Sequence, residues 1–586
     1  MSNKTKFQST DGVMQHLFKE SKKGKLIFFC GAGISIKEPT NMPSVDTIVC
    51  SVLENLIETA PDISDDIFTG SYIFRNSPFE LFMSVIQQGL LFRVFEVLQP
   101  LLEGNPNSIH YYLTKLLLAK KVKHIITTNF DDMLESALQN DLSKIMFYYS
   151  WREIDKFEKN ISKQSIIKLH GSFFNKENHE ITTSTILTTT EGIYSSSKLS
   201  ILKQWADVLK GYTLVFMGYS GRDRLDVIPL LSYLSNSDII WICHTDNKEI
   251  EIVTDIDNFL SKEMITLTKV GNNVTPLTCH TEQFLSVLGE YLGYKYDVRN
   301  YKTIQARSNF SISVKGSGFL PPIFPKYSYL VAGYLLLWLG FARQAGYAFS
   351  QFHKNCVDEE PRLLSNASCA LGQVFENMND FSNASTSYTI AMRGYWGLGD
   401  YASIVKTSCY FADLLMNMKN YDEAGRMARD AIYYAERENY EYGLGLAYYT
   451  KAKLFENLNK LTEASNLYSE AINYAVNNGN FWVEAGSRQQ LVKVEHRLNN
   501  KYSDELIEHL LIALDKIYWI GNGSAPSLKT ASLVDPFYLP DALIDSIVEV
   551  KGKEALLYIE SLDILNRITM QLPTDIKIRV QQKLNI

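Results

Sequence analysis

The chain has 586 residues, too many for one hydrophobic core, so two or three domains are expected. With 46% hydrophobic and 21% charged residues it reads as globular and not as a disordered or fibrous chain. A net charge of -7 argues against a dedicated nucleic-acid binder, so the basic stretch Lys19–Lys25 reads as a solvated helix end.

The N-terminus, MSNKTKFQST, is polar and lacks the apolar core of a signal peptide. The first half then alternates short apolar runs with helical stretches. Strands are predicted at Leu26–Cys30, His124–Thr128, Ser165–Leu169, Tyr212–Met217, Ile239–Cys243 and Met264–Val270. Continuous apolar runs suit a parallel sheet buried on both faces, and the intervening helices imply an α/β, Rossmann-like domain. The first strand runs straight into Gly31-Ala32-Gly33 and Ser35. A turn without Cβ atoms lets backbone N–H groups approach a phosphate. The interval from Ser35 to His124 is mostly helical in pattern and reads as an insertion or lid.

The second strand leads into TTNFD, which brings Asn129 and Asp131 to the C-terminal edge of the sheet, where open α/β folds bind ligands. Asn129 has both a donor and an acceptor and can orient a water or a sugar hydroxyl. Either residue could also cap the helix that begins DDMLESAL. The third strand ends in KLHGS and places His170 for proton chemistry near neutral pH. The fourth ends in GYSGRD: Gly218 makes a turn, Ser220 offers a hydroxyl, and Asp223 either faces a ligand or caps the next helix.

Around residues 296–325 the chain becomes rich in Ser, Gly and Pro and reads as a linker between a domain at 1–295 and another at 326–586. Tyr329–Ala342 is apolar and uncharged but too short for an ordinary membrane span, so it reads as a buried helix. Beyond it an internal repeat appears. Phe381, Tyr421 and Leu461 recur every 40 residues, as do Ala384, Ala424 and Ala464, and Ala391, Ala431 and Ala471. Met378, Met418 and Leu458 keep the same step at the end of the preceding helix. Small residues at fixed places let paired helices approach closely, which resembles a tetratricopeptide-like all-α solenoid. A generic helical bundle is the alternative. Such arrays offer an extended face for protein partners.

Taken together and in this order, GAGIS, TTNFD, KLHGS and GYSGRD resemble the sirtuins over roughly residues 20–290. The resemblance implies that Gly31, Ala32, Gly33 and Ser35 wrap the pyrophosphate of NAD+, and that Gly218, Ser220 and Asp223 contact ribose or phosphate. It also implies that Asn129, Asp131 and His170 serve the nicotinamide ribose, His170 as a general base. His244 or Asn247 would then approach the adenosine. Two features depart from the protein-deacylating sirtuins. No cysteine lies between His170 and Gly218, where those enzymes carry a zinc module, and none of the seven cysteines has CxxC spacing, so no metal site is expected. Pro43 is present where they carry an Asp-Phe-Arg run nearby, but the Arg is not. The expected activity is therefore hydrolysis of NAD+ to nicotinamide and ADP-ribose. An NAD-dependent deacylase and a non-catalytic NAD or ADP-ribose sensor are the alternatives. A soluble, cytoplasmic, oligomeric anti-phage effector is the expected setting, switched through its helical repeats by a phage-encoded or host trigger protein.

Overall fold

The computed structural model describes residues 6–7, 9–77, 79–102, 104–175, 180–181, 185–189, 192–193, 199–221, 223, 226–253, 272–295, 324–355, 360–521, 538–562 and 572–585. The linker at 296–325 and the strand expected at Met264–Val270 fall wholly or mostly outside these residues. By internal contacts the chain divides into two units. One comprises Met1–Ile48 with Phe95–Phe319, the other Val49–Val94 with Leu320–Ile586.

The first unit is built on an eight-stranded sheet. Its strands are β1 (Leu26–Cys30), β2 (His124–Thr127), β3 (Met146–Tyr148), β4 (Ser165–Lys168), β5 (Thr213–Met217), β6 (Asp238–His244), β7 (Glu251–Ile252) and β8 (Asn273–Cys279). Their spatial order is β3-β4-β2-β1-β5-β6-β8-β7, and every pairing is parallel except β8 with β7. β1 is buried at all five positions because both of its faces are covered. Phe28 and Cys30 face helices Thr10–Lys22, Ser108–Leu118 and Thr281–Leu292 through one apolar cluster. On the alternate positions Phe29 stacks on Phe216, and Phe216 on Trp241, with ring centroids 4.6 and 4.4 Å apart. The period-two alternation of a strand thus supplies two cores from one apolar run.

β3, β7 and β8 were not expected from the sequence. β8 contains Pro276, which ordinarily argues against a strand. Its carbonyl accepts from Val253 N–H, so its nitrogen faces the short edge strand, where no donor is required. The strand order reverses about β1: the chain builds β2, β4 and β3 on one side, then returns to lay β5 on the other. Such a switch point leaves a crevice at the carboxyl ends of the strands.

The second unit is all-helical. Phe324–Leu339 is a buried helix, as its apolar sequence suggests, and residues from the earlier stretch pack on it. Phe74 stacks on Trp338 at 5.2 Å, and a Cβ on Gly89 would lie only 3.0 Å from Val331 Cγ2. The stretch read as an insertion or lid is therefore shared: Val49–Val94 groups with the later helices.

From Pro361 to Asn499 seven helices follow at a step of 20 residues, two per 40-residue repeat. The turns carry a left-handed residue in register at Asn379, Gly399, Lys419, Asn439, Asn459 and Gly479, and one residue later at Asn500. Asp380, Asp400, Asn420 and Asn480 follow such turns, and each side chain accepts the N–H three residues on. That satisfies one orphan donor at each helix start. The repeated alanines are all fully buried, as close helix approach requires. Asn417 donates to Glu376, Asn457 to Met416 Sδ and Arg497 to Glu456, each spanning 41 residues, so a side-chain ladder links successive repeats. No helix among the described residues is long and apolar enough to cross a membrane.

Candidate functional site

The glycine turns after β1 and β5 meet backbone to backbone. Gly31 N–H donates to Met217 O and Gly33 N–H to Gly218 O, at 3.1 and 2.8 Å. A Cβ on Gly33 would lie 2.7 Å from Gly218 Cα, and one on Gly218, whose φ is +63°, would lie 2.5 Å from Ile34 N. The absence of Cβ atoms is therefore needed first for the two turns to touch. Ala32 and Ser220 are exposed at these turns.

Ser35 turns inward, almost wholly buried. Its hydroxyl donates to Asp131 Oδ2 at 2.9 Å and lies 3.1 Å from His110 Nε2. Asn129 Nδ2 reaches both Asp131 Oδ2 and Ser35 Oγ, at 3.2 and 3.3 Å. Ser35, Asn129 and Asp131, named from separate motifs, thus form one cluster. Asp131 Oδ1 also accepts Met133 N–H at the start of helix Met133–Leu138, so it joins the helix start to the Ser35–Asn129 cluster.

His110 was not foreseen, because its segment read only as part of a mostly helical insertion or lid. Asn107 caps helix Ser108–Leu118, and its own N–H donates to His110 Nδ1 at 3.2 Å. The proton therefore sits on Nε2, which donates to Ser35 and leaves the Ser35 hydroxyl to donate onward to Asp131. Complete burial, partly opposed by Asp131, pushes the His110 pKa down to about 4 and keeps the ring neutral.

His170 lies two residues beyond Lys168, and Asn129 two beyond Thr127; Thr127 and Lys168 are register partners on the adjacent strands β2 and β4. The two predicted catalytic residues therefore leave the sheet side by side, at 3% and 9% exposure. They enter different hydrogen-bond sets. His170 Nε2 pairs with Asp226 Oδ2 at 2.8 Å. The same oxygen accepts Trp151 Nε1–H at 2.8 Å, and Asp226 Oδ1 accepts Val227 N–H at 2.7 Å. Asp226, and not Asp223, is thus the cap of helix Val227–Tyr233. Asp223 stands near His170 and Asp226; burial raises its pKa and His170 lowers it. The segment after β5 therefore reaches over the ends of β1 and β2 to β4, about 14 Å at ordinary strand spacing. Asp226 was missed because its only sequence signal is a second Asp three residues after Asp223.

Between the two motif loops lies a buried ion pair. Lys168 Nζ bonds Glu135 Oε1 at 2.9 Å and Ser172 Oγ at 2.8 Å, and also donates to the Asp131 carbonyl. Both charged side chains are 1% exposed. Burial raises the Glu135 pKa, against the pull of Lys168. At the opposite end of the crevice, His244 Nδ1 accepts Thr281 N–H at 3.3 Å, and Asn247 accepts His280 N–H through its carbonyl at 2.8 Å.

Residues 123–235, from β2 past GYSGRD, match the family described as SIR2-like domain. Defense-associated sirtuin 2 of Bacillus subtilis is 27% identical over 228 residues, which is 38% of this chain and only 20% of that protein. Among solved structures, a Rap protein complexed with competence and sporulation factor aligns over 45% of this chain and 75% of that one, at 14% identity and a TM-score of 0.33, too loose to bear on fold or function. The glycine turns, the Asn129 and His170 motifs and the matched segment share one sheet edge, so the parallel-sheet unit carries, at residues 123–235, a segment similar to the SIR2-like domain, and a long all-helical region accompanies it.

Proposed function

We propose that the sirtuin-like unit hydrolyses NAD+ at the nicotinamide–ribose bond, giving nicotinamide and ADP-ribose. The observation that carries this reading is the placement of Asn129 and His170, each two residues beyond the register partners Thr127 and Lys168 that end β2 and β4, beside the switch point and each backed by a carboxylate. A dinucleotide laid across that crevice brings its pyrophosphate to the glycine turns and its nicotinamide ribose to these two side chains. The nicotinamide leaves as a neutral molecule from a cationic ring, so the transition state resembles an oxocarbenium ion and needs little acid. The protein's task is to orient the sugar, exclude competitors and place the attacking water. Asn129 orients that water, and His170 draws on a ribose hydroxyl or polarises the water. No residues are assigned to a metal in this reaction.

The likeness to a defence-associated sirtuin, confined to one fifth of that protein, supports a defence role, which we read as anti-phage. In this reading the helical repeats receive a phage-encoded or host trigger, and assembly of copies in the cytoplasm shifts the enzyme into its active state. Purified full-length protein, with and without candidate triggers, is expected to release nicotinamide from NAD+. Asn129→Ala and His170→Ala should each lower the rate by about 10²-fold or more. Undiminished turnover in either variant would refute the site. Acylated ADP-ribose formed only with an acyl-lysine peptide would instead identify a deacylase. Tight NAD+ binding with no turnover under any trigger would identify a sensor.

A further inference from the structure

We infer that Lys168 is a positioning residue, which holds the Asn129 loop against the His170 loop; the inference rests on the reading of these two side chains as the reacting pair. Lys168 is the last residue of β4, two before His170, and its side chain turns back into the protein. Two of its three bonds cross to the TTNFD side, and the third ties it to its own motif. One goes to the carbonyl of Asp131, two residues after Asn129. One goes to Glu135, on the helix that continues the TTNFD loop, and one to Ser172, two residues after His170. Ser172 Oγ closes the ring by donating to Glu135 Oε1 at 3.3 Å. One further main-chain link runs between the loops, Phe173 N–H to Phe130 O at 3.2 Å. Neighbouring strands end together, but nothing in strand pairing fixes the loops that follow them; here a buried ammonium does, with that one main-chain link beside it.

The chemistry of the pair favours this role over a stabilising one. Two charges withdrawn from water cost several kcal/mol in desolvation, and an apolar pair of similar volume is often as stable or more so. Glu135 Oε2 is moreover buried with no hydrogen-bond partner among the described residues, so the carboxylate is incompletely repaid. An ion pair of this kind is best accounted for by the geometry it imposes. Asn129 and Asp131 sit on the segment whose carbonyl it holds, and misplacement of a reacting group by about 1 Å can cost about 10²-fold in rate.

The test is the paired variant Lys168→Met/Glu135→Leu in the full-length protein, which removes the ion pair without leaving a lone buried charge. Lys168→Met alone is expected to fold poorly, because it strands Glu135. The paired variant should melt near the wild-type temperature and keep KM for NAD+ within about threefold, while kcat falls about 10²-fold. Amide exchange across residues 129–135 should quicken at least tenfold, with β1 and β5 unchanged. Wild-type kcat in the folded paired variant overturns the inference, and so does unchanged exchange at 129–135. The exchange measurement needs no turnover, so an inactive wild-type protein would refute the NAD+ reading while the positioning claim is still decided.

Discussion

Ser35 shows how far a single side chain can depart from its motif. The resemblance to sirtuins implies that Ser35 serves the pyrophosphate turn, and in the structure its side chain links Asn129, Asp131 and His110 in one buried chain of hydrogen bonds. Ser35→Ala would leave the His110 Nε2–H without its partner, at a cost of about 1–3 kcal/mol. A thermal melt of the variant measures that loss. His110 carries a pH dependence whose sign is fixed. Its folded pKa, about 4, lies below the unfolded value near 6.5, so the unfolded chain takes up the proton first. Stability due to the neutral ring is complete above about pH 6.5 and is lost as the pH falls towards 4. The shift corresponds to about 2 kcal/mol between pH 7 and pH 5. Urea unfolding at the two pH values, compared with His110→Gln, should show the variant losing about that much less.

At the scale of elements, the fold rests on places where backbones or helices come unusually close. Gly218 and Gly24 both have left-handed φ, +63° and +67°. A Cβ on Gly24 meets nothing within 4 Å, whereas one on Gly218 strikes Ile34 N. Gly24→Ala is therefore expected to cost about 1 kcal/mol from φ alone. Gly218→Ala should cost several times that, and weaken NAD+ binding, because β1 and β5 turns must separate. Parallel melting curves and titrations of the two variants check the contrast. In the helical array the sequence carries its own punctuation. Asp400→Ala removes the acceptor for Ser403 N–H and should lower stability by about 1 kcal/mol, a value open to chemical denaturation.

For the whole molecule, the chain order and the contact order disagree. Residues 49–94 interrupt the sheet-forming sequence, yet they group with the helices after residue 320. A fragment of residues 320–586 would expose the face of Phe324–Leu339 that Phe74 and Gly89 cover. Exposed apolar surface of that kind drives association. The fragment is expected to aggregate, and one in which 49–94 is linked to 320–586 to be soluble; soluble yield and size-exclusion profiles distinguish them.

Much of this was legible in the chain itself. Strands β1, β2, β4, β5 and β6 announced themselves as apolar runs ending in Gly, Asn or His, because a strand buried on both faces has no room for polar alternation. The 40-residue step was legible because a repeat must bury the same small residue at the same helix crossing each time. β8 was hidden by Pro276, whose tolerance depends on a nitrogen turned towards the short edge strand β7, which only the assembled sheet defines.

What the sequence by itself determined is the list of parts: a parallel sheet, its glycine turns, Asn129 and His170 at strand ends, and a periodic helical array. These follow from local rules of period, turn and cap, which act over a few residues and need no knowledge of the rest. Only the tertiary structure decided the partners. That His170 answers to Asp226, Ser35 to His110 and Lys168 to Asp131 and Glu135 depends on contacts spanning 33 to 75 residues. The physical reason is that a buried polar group takes whichever donor or acceptor the packed strands bring within reach, and strand order is a property of the sheet and not of any segment in it.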